Sequence, residues 1–320
     1  MEPEYIHIAY GKGTIPLSID RTRVRWHILE PRHVPAIQGA KECFHSCCEN
    51  PVGSPPLSEI ITSKDRVAIT TSDGTRPVPN RLLIPWLLDL LPVPREQVTV
   101  IIGTGSHRPN TPEELETMLG TEVLDRVHVI NHDAYDEKAN VQVGKTASGH
   151  PVALNRLYVE ADKRIAVGFI EPHFFAGFSG GPKAVAPGLA SIDTILGLHR
   201  YELVADRRST WGMLDDNPLH EAIQEAVACC PPDFLVNVTL NPDKQISGIY
   251  CGHYLEAHRL GCERATAEAM VRLPVRCPLV ITSNSGFPLD QNLYQTVKGI
   301  SGAARVCAYG GDIIVASECA

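Results

Sequence analysis

Three short polar turns carry the residue types that could move a proton or hold an anion. They are Ser72-Asp73-Gly74-Thr75-Arg76-Pro77, Gly103-Thr104-Gly105-Ser106-His107-Arg108-Pro109, and Glu171-Pro172-His173 running into the glycine-rich loop that ends at Lys183. His107 and His173 are the natural general acid/base pair, because imidazole titrates near neutral pH. On opposite walls of one pocket, they would suit a reaction that handles a proton on either face of a carbon. The loop Gly177-Phe-Ser-Gly-Gly-Pro-Lys183 resembles a phosphate loop, but Ala184 follows the lysine where a hydroxyl would be needed for magnesium. Hydrolysis of a nucleoside triphosphate is therefore a poor reading. The backbone N–H groups of Ser179, Gly180 and Gly181 are instead expected to hold one phosphate or carboxylate. Lys183, between Pro182 and Pro187, reads either as a point charge for an anion or as a covalent attachment site for a cofactor.

His199 closes an apolar helical run, and on spacing alone it reads as a partner of the helix dipole rather than as a ligand. Farther along, Gln291, Tyr294, Gln295 and Lys298 recur at helical spacing and are expected on one helix face. Turned into a crevice, that face would bind a substrate carboxylate through Lys298 and orient it through Gln295. The alternative is a solvated surface. His7, His45, His128, His150 and His258 read as ordinary histidines. The 10 cysteines have no C-x-x-C spacing and read as reduced, mostly buried thiols. Cys43, His45 and Cys47 read as a coincidence of a helix surface rather than as a metal site.

The elements that must position these groups alternate. The segments 5–10 and 14–19 read as a β-hairpin around Gly11-Lys12-Gly13, and a linker rich in proline and serine covers 50–57. Strands are expected at 66–71, 98–102, 127–130 and 164–170. Helices are expected at 79–91, from Thr111, and at 191–204, 217–229 and 254–272. Short apolar strands alternating with helices indicate an α/β domain with a largely parallel sheet, whose ligands bind at the carboxyl ends of the strands. A second α/β unit is expected from strand 278–282 through a helix near 289–304 to strand 312–315. The division is thus 1–272 for cofactor binding and catalysis, and 273–320 for the start of a second, incomplete α/β domain.

A chain of 320 residues exceeds one ordinary core. Its net charge of −8, without a basic block, argues against nucleic acid as the main partner. The most apolar stretch, 82–94, carries Asp89 and is too short to span a bilayer, and the acidic N-terminus has no secretory signal. A cytoplasmic protein without a membrane partner is expected.

Five segments in order resemble the nickel-pincer lactate racemase family: 72–77, 103–109, 171–183, His199, and Asp-Gln-Asn-Leu-Tyr-Gln-Thr-Val-Lys at 290–298. The resemblance implies a tethered cofactor, a nickel-bearing pyridinium bis-thiocarboxylate mononucleotide. Lys183 would carry it and His199 would bind the nickel, a role that spacing alone does not suggest. His107 and His173 would be the acid/base pair. Arg76, Gln295 and Lys298, with Tyr294 beside them, would hold a 2-hydroxy acid. Asp73, Thr75 and the glycine-rich loop with Ser179, Gly180 and Gly181 would lie near the cofactor phosphate. Cofactor-maturation enzymes are the implied partners, and members of that family continue beyond the equivalent of Ala320. A non-catalytic anion- or nucleotide-binding protein, and a zinc hydrolase using His107, His173 and His199, are the rival readings.

Overall fold

The computed structural model describes residues 4–287 and 289–320. Strands β1 (Glu4–Tyr10) and β2 (Gly13–Ile19) form the expected antiparallel hairpin, with Tyr10 opposite Gly13. There follow α1 (Ala40–Glu49), α2 (Leu57–Ile60), β3 (Val67–Ser72), α3 (Asn80–Leu90), β4 (Val98–Gly103), α4 (Pro112–Leu119), α5 (Thr121–Arg126) and β5 (His128–Asn131). Helix α4 starts where the sequence predicts. Thr111 Oγ1 accepts from the Glu114 N–H at 3.3 Å, and the Glu114 carboxylate accepts from the Thr111 N–H at 2.8 Å. That reciprocal cap satisfies two donors that the helix itself cannot.

The hairpin β6 (Asn140–Lys145) and β7 (Pro151–Asn155) precedes α6 (Arg156–Val159) and β8 (Lys163–Phe169). Two-residue strands β9 (Pro172–His173) and β10 (Gly177–Phe178) fold the chain back on itself. The single helix expected over 191–204 is broken into α7 (Ile192–Leu198) and α8 (Tyr201–Val204), with His199 as the C-cap of α7. Then come α9 (Pro218–Ala228), the antiparallel pair β11 (Phe234–Leu240) and β12 (Ile246–Gly252), and α10 (Glu256–Ala269). The last elements are β13 (Cys277–Ser283), α11 (Leu293–Val306) and β14 (Cys307–Ala316).

The chain divides into two compact units. The larger, Arg32–Ala269, is built on a 6-stranded sheet of order β12-β11-β8-β3-β4-β5, parallel except for β12. Its strands are apolar on both faces, as a doubly covered sheet requires. Val67 and Ile69 of β3 join Val100, Val167 and the side chains of α1 and α3 on one face. Ala68 joins Ile101, Ala166 and the side chains of α7, α9 and α10 on the other. The chain leaves β3 toward β4 and β5, then returns to β8 on the opposite side of β3. Crossovers diverging from adjacent strands open a crevice at their carboxyl ends. The turns after β3, β4 and β8 all lie on that edge.

The smaller unit consists of the chain up to Pro31 together with Met270–Ala320. The boundary thus falls at Met270, and the N-terminal hairpin belongs with the C-terminal segment instead of with the large unit. Two hydrogen bonds explain why. The Gly11 N–H donates to the buried Asp290 carboxylate at 2.7 Å, and the Phe287 N–H donates to the Gly11 carbonyl at 2.7 Å. Strands β13 and β14 pair in parallel, with α11 packed on them.

Candidate active site

The turn after β3 aims Asp73 at the turn after β4. His107 Nδ1 lies 2.8 Å from Asp73 Oδ2, and Thr75 Oγ1 donates to Asp73 Oδ1 at 2.6 Å. A carboxylate only accepts, so Nδ1 carries the proton in the neutral ring and Nε2 presents its lone pair. Burial pushes the Asp73 carboxyl up, but the hydrogen bonds from His107 and Thr75 outweigh it and hold the group below its usual range. The two Asp73 oxygens are thus engaged by His107 and Thr75. Arg76 Nη1 meets Glu171 Oε1 at 3.2 Å, across the carboxyl ends of β3 and β8.

The turn after β8 holds its histidine through the main chain. His173 Nδ1 accepts from the backbone N–H groups of Phe175 at 3.3 Å and Ala176 at 3.2 Å. That nitrogen is unprotonated, and the neutral ring carries its proton on Nε2. Main-chain bonds tie Glu171 to Ser179: the Glu171 N–H donates to Ser179 Oγ at 3.0 Å, and the Ser179 N–H donates to the Glu171 carbonyl at 2.9 Å. The Gly181 N–H donates to Asn237 Oδ1 at 2.7 Å. Two of the three amides expected to cradle an anion, those of Ser179 and Gly181, are therefore already engaged inside the fold.

Lys183 sits in a short 3-10 turn, Gly181–Ala184, which rests on side chains that carry no motif of their own. His258 Nε2 donates to the Ser179 carbonyl at 2.9 Å, and its ring stacks on His220 at 6.1 Å between centroids. Gly181 has φ 53, and a Cβ there would run into the His258 ring. Burial, with the Lys183 charge adding to it, pushes His220 down to about 3 and His258 down to about 4. Both are neutral at physiological pH. Their role was hidden because each stands alone on an amphipathic helix. Asn237 was hidden because β11 is buried along its length and shows no alternation.

His199 Nδ1 lies 2.8 Å from the Ile195 carbonyl, so that nitrogen donates and Nε2 keeps its lone pair. Burial lowers the affinity of the ring for a proton, and the Lys183 charge lowers it further, against the Ile195 carbonyl. Among the described residues, no group of three or more His, Cys, Asp or Glu side chains could hold a metal. Among them, His107, His173 and His199 form no three-histidine group of the kind a zinc hydrolase needs. Burial, with Cys43 beside it, pushes the Cys47 thiol up to about 12.

In the smaller unit, Lys298 Nζ donates to Gln295 Oε1 at 2.6 Å. Gln295 is buried, while Tyr294 is 70% exposed, so the expected common face is divided. Gln291 precedes α11, whose N-cap is Asn292, and is not on the helix at all.

Residues 10–212 match the family model of the lactate racemase N-terminal domain, and residues 273–320 match that of the lactate racemase C-terminal domain. A lactate racemase of Thermoanaerobacterium thermosaccharolyticum is 36% identical over 98% of this chain and 74% of the relative's length. One from Lactiplantibacillus plantarum is 35% identical over 97% of this chain and 74% of its own length. The structure of the Thermoanaerobacterium lactate racemase apoprotein superposes with a TM-score of 0.89, covering 99% of this chain and 75% of that one. A protein from Thermotoga maritima, 22% identical, shares the fold alone, with a TM-score of 0.63 over 79% of this chain and 64% of its own. Among the described residues no helix is long and apolar enough to cross a membrane. The matched models, the two relatives and the shared fold agree: the chain belongs to the lactate racemase family and is an isomerase of the racemase class.

Proposed function

We propose that the chain inverts the carbinol carbon of a 2-hydroxy acid of the lactate type, with His107 and His173 as its acid/base groups. The observation that carries this reading is the way both rings are held. Each has Nδ1 engaged inside the large unit, at the ends of β4 and β8 on either side of β3. Nε2 of each ring is the atom that would meet the substrate. In its neutral form His107 would take the hydroxyl proton at Nε2, while His173 would present an N–H to the oxygen on the other face. The two must exchange these roles in the reverse direction. Arg76 would bind the substrate carboxylate. Tyr294, Gln295 and Lys298 are proposed as substrate-binding residues on the family resemblance alone; within the smaller unit, Lys298 Nζ donates to Gln295 Oε1.

The residues fit a lysine-tethered nickel cofactor. The Nδ1–H of His199 is fixed on a carbonyl, the usual arrangement for a metal-binding imidazole, and Nε2 is left to bind. His199 is the one protein ligand assigned here, so a metal would draw its other ligands from the organic group, held on Lys183. When bound, that group would supply an acceptor for the hydride of the carbinol carbon. Ser179, Gly180 and Gly181 would line it, with Thr75 and Asp73 close by. Maturation enzymes that build the cofactor are the proposed partners. A reducing, cytoplasmic setting accords with 10 unbonded cysteines, among them Cys48 and Cys251 with sulfurs 3.9 Å apart.

The test is mass spectrometry of protein produced with the maturation enzymes, alongside a racemisation screen over 2-hydroxy acids. An adduct on Lys183 containing nickel, together with racemisation of lactate, is expected. Turnover by protein with an unmodified Lys183 would sink the mechanism.

A further inference from the structure

Glu171 has no role in the chemistry above, yet it touches both halves of the candidate site. Its side chain engages Arg76 Nη1 at 3.2 Å, and its main chain makes three hydrogen bonds with Ser179, at 3.0, 2.9 and 3.4 Å, in the loop that leads to Lys183. Pro172 and His173 follow it directly. Both members of the ion pair are partly buried, with 21% and 29% of their side chains exposed, so the contact is shielded more than a surface pair would be. Arg76 is also held from behind, by its own N–H on the Asp73 carbonyl at 3.2 Å. The Glu171 contact occupies Nη1, and the fork of Nε and Nη2 is the edge that suits a carboxylate in two parallel bonds.

We propose that Glu171 is a positioning residue for substrate binding. It fixes Arg76 by Nη1, so that the Nε–Nη2 edge is presented to the carboxylate of the 2-hydroxy acid at a set distance from the Lys183 loop. This rests on the proposed reaction, because Arg76 is a carboxylate anchor only in that reading. The rival role is that of a competitor: an internal carboxylate that the substrate must displace. The two roles predict opposite signs. A positioning residue, once removed, lets the guanidinium wander and weakens binding. A competitor, once removed, tightens it.

The experiment compares Glu171→Ala, Glu171→Gln and Glu171→Asp with the parent, all loaded with cofactor, for KM and kcat on lactate. The unloaded proteins are titrated with pyruvate in parallel by ligand-observed NMR, and every variant is melted. Glu171→Ala should raise KM about ten-fold with kcat changed less than about three-fold, because a misplaced anchor costs mainly binding. Pyruvate affinity should fall in step. Glu171→Gln keeps an oxygen that accepts from Nη1 and should recover most of the loss. Glu171→Asp withdraws the carboxylate by one methylene and should raise KM as well, which keeps the test open if the alanine variant does not fold. A lower or unchanged KM in Glu171→Ala or Glu171→Asp overturns the proposal. An inactive parent would instead sink the functional reading itself, so the two failures are distinguishable.

Discussion

On the β4 wall, His107 leans on Asp73, a carboxylate buried and held ionised by two hydrogen bonds, whereas on the β8 wall the same ring nitrogen of His173 is filled by two backbone amides. Asp73 tolerates either protonation state of its partner, because Nδ1 keeps its proton whether Nε2 is bare or protonated. The amides facing His173 tolerate only one. Putting a proton on Nδ1 would set N–H against N–H, so His173 can accept at Nε2 only if the turn from Phe174 to Ala176 yields. In the proposed reaction, the His107 wall would serve both directions of transfer as it stands. The His173 wall would have to relax its two amide bonds for one of them.

The largest effect should come from removing either ring. His107→Ala and His173→Ala are each expected to cost at least about 100-fold in racemisation, the usual scale for a general acid/base group. Chiral chromatography starting from each enantiomer separately makes the comparison sharper. The equilibrium constant of racemisation is one, so kcat/KM must be equal in both directions. The unequal walls should nevertheless give the parent two different kcat values, and equal values would break the contrast.

Next in size is Asp73→Asn, which can hold the His107 ring in the wrong tautomer. A loss of about 10- to 100-fold in kcat/KM is expected, with the Nδ1–H form of His107 disappearing from nitrogen-15 NMR spectra and His173 unchanged. A shift in both rings would mean that the walls are not independent.

Glycines on the two walls offer a smaller, structural contrast. Gly181→Ala drives a Cβ into His258 at φ 53 and should destabilise the protein by about 2 kcal/mol in thermal melting. At Gly74, on the Asp73 turn, the nearest atom to an added Cβ is Asn110 Oδ1 at 3.3 Å, so Gly74→Ala should cost under about 1 kcal/mol.

Acid should separate the walls last and most gently. His220 and His258 lie far below their unfolded value of about 6.5, so the stability they contribute is complete above that pH. It is lost as pH falls from there toward about 4 for His258 and about 3 for His220. Asp73, also lowered, contributes fully above its unfolded value of about 3.9 and loses that contribution only below it. Hydrogen exchange at pH 5 against pH 7, corrected for the intrinsic rate, should therefore quicken over 179–184 more than over 73–76. Equal quickening would contradict the assignment of the two histidines to the floor of the Lys183 loop.

Much of this was legible in the residues. The runs that became β3, β4 and β8 are short, β-branched and bounded by turns, so their existence and their polar ends could be read together. The cap at Thr111 came from a local pattern that the structure repeats. Strands β11 and β12 could not be read, since burial on both faces erases the alternation that marks a strand and Asn237 mimics a loop residue. The joining of the N-terminal hairpin to the segment around Asp290 was illegible for another reason: it runs through hydrogen bonds of Gly11 to residues far along the chain, 279 positions away in the case of Asp290. Long-range satisfaction of a backbone donor leaves no periodic trace. The same is true of His258, whose use depends on where Gly181 lies.

The central pair of the sheet carries a consequence for how the protein is made. Strands β3 and β8 are neighbours, and the Arg66 N–H donates to the Asp162 carboxylate at the head of that pair across 96 positions of chain. Closing so long a loop is slow relative to forming the helices between. Arg76, His107 and His173 come from strands on both sides of that closure. During refolding, helical signal should return first and the ability to bind a 2-keto acid last, so the site itself marks the moment at which synthesis has yielded a finished enzyme.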